Sequence, residues 1–395
     1  MSRIAKTVWL FGLTQIIGYG ALYYSFAILA DDVARTFGWN QEEFFLVFSI
    51  ALGAGGFVAP HMGKALDRFG AARVMAWGSV ASSACMALLA VAPWGWFFVA
   101  ALILSQLAAT FVLYDAAFTA LVQATGGKAQ LRIVHLTLIA GFASSIFWPL
   151  THWLDQELGW RAVIGIYAAF NLFVCVPVHV LIARWRREGI EAIGPSGEAA
   201  VVASEGQLRI EQRRRAFLLV ASGFSLSSFA LSAVLSQMVP MLSALGFGAT
   251  ALAVSTLFGP AQVAVRFINM VLGSKRHPLT VTLLGLSLLP LGLFIVAAAA
   301  PAESGAVVFV VLVGLSSGLK SIVQGTLTLA LFGSEGFGRR AGLLASSRFV
   351  LGALAPFAFA WTSAQSSAPM ATVLFGIIGA IAVLVFVEVA RMLRH

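Results

Sequence analysis

Gly63-Lys64-Ala65-Leu66-Asp67-Arg68-Phe69-Gly70-Ala71-Ala72-Arg73 is a short polar stretch between two long apolar runs, 41–63 and 74–92. Its glycines permit a tight turn at a membrane surface, Asp67 can sit near a helix N-terminus, and Arg68 and Arg73 supply charge that stays in water. Outward from this turn, apolar runs long enough to cross a bilayer recur from end to end. They lie near 8–30, 41–63, 74–92, 96–123, 133–153, 162–183, 216–240, 247–272, 279–299, 305–332, 341–363 and 368–391. The pattern predicts an all-α membrane protein with twelve transmembrane helices. Composition agrees, since 60% of the 395 residues are hydrophobic and 10% charged, against about a quarter charged in soluble domains. A soluble enzyme and a large extramembrane domain are thereby excluded. Cys85 and Cys175 both fall inside apolar runs, where packing is their expected role, with no disulfide or thiolate metal site.

The net charge of +9 would suggest nucleic acid if the cations formed one patch. Instead they report topology. Outside the spans, 20 Lys and Arg fall on the side of the termini and the even-numbered connections, and the opposite side holds only Arg35 and Arg161. By the positive-inside rule both termini are cytoplasmic, as in a bacterial inner-membrane protein. The partner implied by the basic excess is the lipid bilayer, and no nucleic acid is expected. Met1–Lys6 and the apolar run after it lead into Asp31-Asp32 without a small-residue cleavage site, which reads as an uncleaved first span.

One connection is long. It runs from Arg184 to Arg215, rich in Arg, Glu, Gly and Ser, and divides the chain into 1–183, 184–215 and 216–395, with six spans on either side. Two halves of equal topology are expected of a duplicated transporter with its site between them. The loop itself is expected to be a flexible cytosolic tether, partly helical and lipid-facing.

The turn at Gly63–Arg73 resembles the signature loop of the major facilitator superfamily, and twelve spans split six and six by a long central loop resemble it too. The resemblance implies two pseudo-symmetric six-helix halves. It also implies a cytosolic gate, in which the acid and the following Arg of this loop lock the halves, so that Asp67, Arg68 and Arg73 would carry it here. Ala71-Ala72 stand where the family has a basic pair, which leaves Arg73 one place late and predicts a weaker lock. The matching stretch of the second half, Gly273-Ser274-Lys275-Arg276-His277-Pro278, has no acid.

Four charges lie deep within spans, away from their ends: Asp115, Arg266, Lys320 and Arg348. Each costs about 2.5–3.5 kcal/mol to insert, so such residues usually face a cavity or a partner. At about 1.5 Å per residue, Lys320 falls near the midplane and the other three on the order of 5–10 Å toward the cytosol. Three cations from the second half against one acid from the first favour an anionic substrate. Arg266 and Arg348 suit a carboxylate, because the guanidinium fork makes two parallel hydrogen bonds to it. Asp115 is the candidate for proton coupling or gating, either titrating or pairing with a cation across the halves.

Polar residues at helical spacing extend the expected wall. Span 1 carries Gln15, Tyr19 and Tyr23 on one face; span 10 carries Ser317, Ser321, Gln324 and Thr328 beside Lys320; span 7 carries Ser225, Ser228, Ser232 and Ser236. Spans 1, 4, 7 and 10 line the cavity in the resembled family. For the serines, packing or a bond to the preceding turn is the preferred reading.

Two features resemble the monocarboxylate and oxalate/formate branch of that superfamily. One is Tyr24-Ser25-Phe26 followed by Phe37-Gly38-Trp39-Asn40; the other is a basic residue in span 8 and one in span 11, here Arg266 and Arg348. Two departures stand against it. Proton-coupled members carry an acid one turn before the span 8 arginine, where this chain has Gln262, and their motif entering span 1 is replaced by Lys6-Thr7-Val8-Trp9. Gln262 and Gln324 are then candidate ligands rather than titrating groups.

Gly314-Leu315-Ser316-Ser317-Gly318 formally matches a nucleophile-elbow pattern, but it lies inside a membrane helix, where close helix packing through the glycines is the better reading. His135 and His152 are too far apart for one metal face, with no Cys or acid to complete a ligand set. The sequence therefore predicts a monomeric secondary transporter of a small organic anion, such as a mono- or dicarboxylate, working by symport, exchange or facilitated diffusion. No enzyme activity, cofactor or metal is expected. The alternative is an efflux permease for an anionic or neutral toxicant, including a metalloid oxyanion.

Overall fold

Among the described residues, twelve helices long and apolar enough to cross a membrane follow one another: Arg3–Phe37, Gln41–Phe69, Ala71–Ala90, Gly95–Thr125, Ala129–Leu158, Trp160–Glu188, Ile210–Phe247, Thr250–Leu272, Pro278–Ala299, Glu303–Phe332, Phe337–Gln365 and Ala368–Met392. They are spans 1 to 12 below. The computed structural model describes residues 3–193, 206–248, 250–273 and 276–393. Residues 194–205, the middle of the expected tether, and Ser274 and Lys275 of the second-half turn lie outside the described residues. Some spans run past the sequence estimates, span 1 to Phe37, span 2 to Phe69 and span 7 to Phe247, whereas span 3 ends at Ala90 and span 8 starts at Thr250, inside their estimates. Helix at both ends of the central connection, to Ile193 and from Ile210, accounts for part of what sequence reads as loop.

By contacts the chain forms two compact units, Met1–Glu205 with Gly333–Ser346, and Gly206–Phe332 with Ser347–His395. In the first unit span 3 packs on spans 4 and 6, and span 2 on span 4. In the second, span 9 packs on spans 10 and 12, and span 8 on span 10. The same pairings six spans apart are the internal repeat that direct sequence similarity hides.

The glycine-rich nucleophile-like stretch of span 10 serves that packing. A Cβ on Gly314 would lie 2.7 Å from the Phe258 carbonyl, and one on Gly318 would lie 2.5 Å from the Gln262 carbonyl, so spans 8 and 10 touch backbone to backbone. The Phe37-Gly38-Trp39-Asn40 stretch is a helix stop and start. Gly38 takes the left-handed conformation at φ 70°, and Asn40 forms a reciprocal capping box with Glu43, with bonds of 2.8 and 2.9 Å. Phe37, Trp39, Phe98 and Trp160 cluster over this corner, and the Trp160 indole N–H donates to Thr36 at 2.9 Å.

Prolines inside spans leave carbonyls to satisfy. In span 11, Pro356 deprives the Gly352 carbonyl of its helical donor, and the Ser232 hydroxyl of span 7 donates to it at 2.9 Å. Ser232→Ala is expected to cost about 1 kcal/mol of unfolding free energy in detergent, a typical net hydrogen bond; no change in thermal stability would refute this pairing. Past the central connection, the Gln207 and Leu208 N–H groups donate to the Ala330 and Leu331 carbonyls, which end span 10. His277 accepts from the Leu279 N–H through Nδ1 and meets Gln207 through Nε2. Burial holds its imidazole below the ordinary value, which keeps the acceptor nitrogen unprotonated at neutral pH.

Candidate functional site

Asp67 lies at the end of span 2 and meets the start of span 11. Its Oδ1 accepts from the Gly338 N–H at 2.9 Å and its Oδ2 from the Arg339 N–H at 2.7 Å. Those are among the orphan donors of the helix Phe337–Gln365, so the carboxylate both caps it and meets the positive end of its dipole. Glycines make the approach possible: a Cβ on Gly63 would lie 2.2 Å from the Gly338 carbonyl oxygen, and one on Gly342 would lie 2.3 Å from the Ala59 oxygen. Arg68 is exposed and lies over the Phe69 ring at 5.1 Å, and Arg73 is exposed. Neither shares the Asp67 contact among the described residues. Gln123, at the end of span 4, braces the turn, donating to the Leu66 carbonyl and accepting from the Ala71 N–H, each at 2.9 Å, and from Arg186 at 2.6 Å.

Deeper in the first unit, spans 1 and 4 are among those that lose regular helix. Span 1 contains a π-turn over Gly20–Tyr24, and span 4 breaks between the helices Gly95–Ala109 and Tyr114–Thr125. Irregular backbone inside a membrane must find other partners for its polar groups. Two glutamines supply them reciprocally. Gln15 of span 1 donates to the Val112 carbonyl in the break at 2.7 Å, and Gln106 of span 4 donates to the Leu22 carbonyl in the π-turn at 2.9 Å. Gln15 is fully buried, and its Oε1 has no partner. Gly20 has no room for a Cβ, which would lie 2.1 Å from the Phe147 ring.

These irregularities gather the polar face foreseen on span 1. Tyr19 packs on Tyr114 with ring centroids 4.5 Å apart, and Asp115 occupies the first turn of the helix that restarts span 4. Discontinuous helices of this kind form the sites of many transporters.

A second polar centre lies behind this one. His179 of span 6 is buried, with Nε2 3.1 Å from the Thr14 hydroxyl and Nδ1 3.0 Å from the Ser79 hydroxyl. Thr14 spends its only proton on the Phe11 carbonyl at 3.1 Å. Nε2 must then carry the imidazole proton and donate, while Nδ1 accepts from Ser79. One neutral histidine thus ties spans 1, 3 and 6.

In the second unit Arg266, Lys320 and Arg348 are between 4% and 6% exposed. The Arg266 Nε is buried without a hydrogen-bond partner among the described residues. Gln262, one turn before Arg266, donates to the Ser317 hydroxyl at 2.8 Å and joins span 8 to span 10 one turn from Lys320. Gln324 is half-buried on that span, and its carbonyl accepts from the Thr328 hydroxyl at 2.8 Å. Ser321 and Ser236 bond to their own preceding turns, as the packing reading of the serines expects.

Residues 10–356 match the family model described as the Major Facilitator Superfamily. The chain belongs to that superfamily. It is therefore an integral, multi-pass membrane transporter rather than an enzyme. Among solved structures, the human organic anion transporter MFSD10 (TETRAN) is similar at a TM-score of 0.76 and 12% identity, covering 98% of this chain and 100% of that one. The proton:xylose symporter XylE, bound to 6-bromo-6-deoxy-D-glucose, is similar at 0.68 and 13%, covering 96% and 95%. The E. coli fucose:proton symporter FucP is similar at 0.71 and 13%, covering 98% of each chain. At these identities the likeness concerns the fold. No curated protein sequence matches the chain.

Sequence alone does not single out His179, Gln106 and Gln123. They carry no full charge and fall outside the polar faces of spans 1, 7 and 10, so local sequence does not set them apart.

Proposed function

We propose that the chain is a secondary transporter of small organic anions in a bacterial inner membrane, with both termini in the cytoplasm. Supporting this reading is the charge imbalance of the second unit. Arg266, Lys320 and Arg348 are buried there, while the unit's acids, Glu211, Glu303 and Glu388, lie at or near helix ends. Glu388 is already engaged by Arg215 and Arg391. Three buried cations in one unit favour an anion, since desolvated charge is costly to hold without opposite charge nearby. Arg266 offers an unused Nε for the purpose. Arg266 and Arg348 bind the carboxylate in this scheme, with Lys320, Gln262 and Gln324 as further ligands of the second unit and Gln15, Tyr19 and Tyr23 as those of the first. Asp115 takes the coupling proton, and Asp67 closes the cytosolic gate.

The test is thermal stabilisation of the purified protein in detergent against carboxylates, inorganic oxyanions and lipophilic cations. A carboxylate at about 100 times its dissociation constant should add roughly 2.7 kcal/mol. Arg266→Gln and Arg348→Gln should each weaken that binding at least about tenfold, the loss of about 1.4 kcal/mol or more from a charge-assisted pair. Stabilisation by oxyanions or lipophilic cations alone would overturn the proposal.

A further inference from the structure

The chain has 31 phenylalanines and 5 tyrosines, so phenylalanine is the default ring of these helices. Four of the five tyrosines nevertheless meet at one place in the first unit. Tyr19 contacts Tyr114 at 4.5 Å and Tyr24 at 6.3 Å between ring centroids. Tyr23 and Tyr24 meet edge to face at 5.3 Å, Tyr24 meets Trp148 edge to face at 5.9 Å, and Tyr114 stacks on Phe118 at 5.1 Å. The fifth tyrosine shows what a structural one looks like here: Tyr167 is fully buried, with its hydroxyl 2.7 Å from Thr151.

The four gathered tyrosines differ in setting. Tyr23 is 39% exposed, Tyr19, Tyr24 and Tyr114 are half-buried, and Trp148 is 42% exposed. They stand at the π-turn of span 1 and at the restart of span 4, held there by the Gln15 and Gln106 bonds, and Asp115 adjoins Tyr114. Amphipathic rings on rigid, partly open backbone present flat apolar faces with polar rims. Such a surface receives another ring by stacking or edge-to-face contact.

We infer that this tyrosine wall binds an aromatic ring, which makes the transported anion an aromatic carboxylate. The inference rests on the anionic reading above and adds the group that the substrate carries besides its charge. A saturated ring of similar size has the same apolar bulk but no π-face, so it separates aromatic recognition from mere burial.

The full-length protein in detergent is titrated with benzoate, cyclohexanecarboxylate and acetate, following its melting temperature. Benzoate is expected to half-saturate the shift at a concentration at least about tenfold below that of cyclohexanecarboxylate, a difference of about 1.4 kcal/mol. Tyr19→Leu and Tyr114→Leu should each erase that preference, bringing the benzoate half-saturation within about twofold of that of cyclohexanecarboxylate in the same variant. The ligand comparison on the unaltered chain requires no variant to fold. Equal binding of benzoate and cyclohexanecarboxylate, or a preference that survives both leucine variants, would overturn the aromatic wall and leave the anionic reading standing. Absence of any response to the three carboxylates would overturn both.

Discussion

Gly63→Val is expected to detach the first turns of span 11 from span 2 and to lower the unfolding free energy in detergent by about 3–5 kcal/mol. The first Cβ atom alone would lie 2.2 Å from the Gly338 carbonyl oxygen and 2.9 Å from its carbon. Backbone cannot yield as a side-chain tip can, so the helices must separate. Separation by about an ångström is enough to break the 2.9 and 2.7 Å bonds from Gly338 and Arg339 to Asp67, since hydrogen bonds weaken steeply beyond their normal length. The variant therefore loses packing and a helix cap together. Asp67→Asn is the milder comparison, because the amide keeps one acceptor and gives up one charge-assisted bond, at about 1–2 kcal/mol. Differential scanning fluorimetry ranks the two, and a Gly63→Val protein that melts with the unaltered chain would rule out the backbone crossing. If this contact is the cytosolic gate, transport should be affected by both variants in the same order.

His179→Leu carries the second large effect, about 2–4 kcal/mol. Leucine replaces most of the volume, so the cost comes chiefly from polarity: the Ser79 hydroxyl loses its acceptor and the Thr14 hydroxyl its donor inside the bundle. A buried hydroxyl left unsatisfied costs about 1–3 kcal/mol. The double variant Ser79→Ala with His179→Leu should then be less destabilised than the sum of its single changes, by about 1 kcal/mol, because the orphaned hydroxyl is gone. Strict additivity in thermal or denaturant unfolding would mean that the imidazole fills space and nothing more. His179→Gln should recover part of the loss, since an amide both donates and accepts.

Legibility from sequence followed the range of the interactions. Twelve spans, the central connection and the four intramembrane charges could be read directly, because bilayer insertion depends on local hydropathy and on the length of each run. The superfamily was legible in one turn, Gly63–Arg73, whose glycines and Asp67 have a use that their types suggest. Gln15 and Tyr19 could be placed on one face of span 1 by counting. That Gln15 would spend its amide on Val112, 97 residues away, could not.

Local hydropathy and periodicity thus determined that this chain crosses the membrane twelve times, as two sets of six, and that Asp115, Arg266, Lys320 and Arg348 lie within its spans. Tertiary structure alone decided the rest: the π-turn and the break that gather the tyrosines, the pairing of Asp67 with a helix that starts 270 residues later, and the histidine that joins spans 1, 3 and 6. The physical reason is the same in each case. A helix in a bilayer satisfies its own backbone and is specified by its own residues, whereas a broken helix, a buried hydroxyl or an uncapped N–H is satisfied only by whichever neighbour the packing brings beside it.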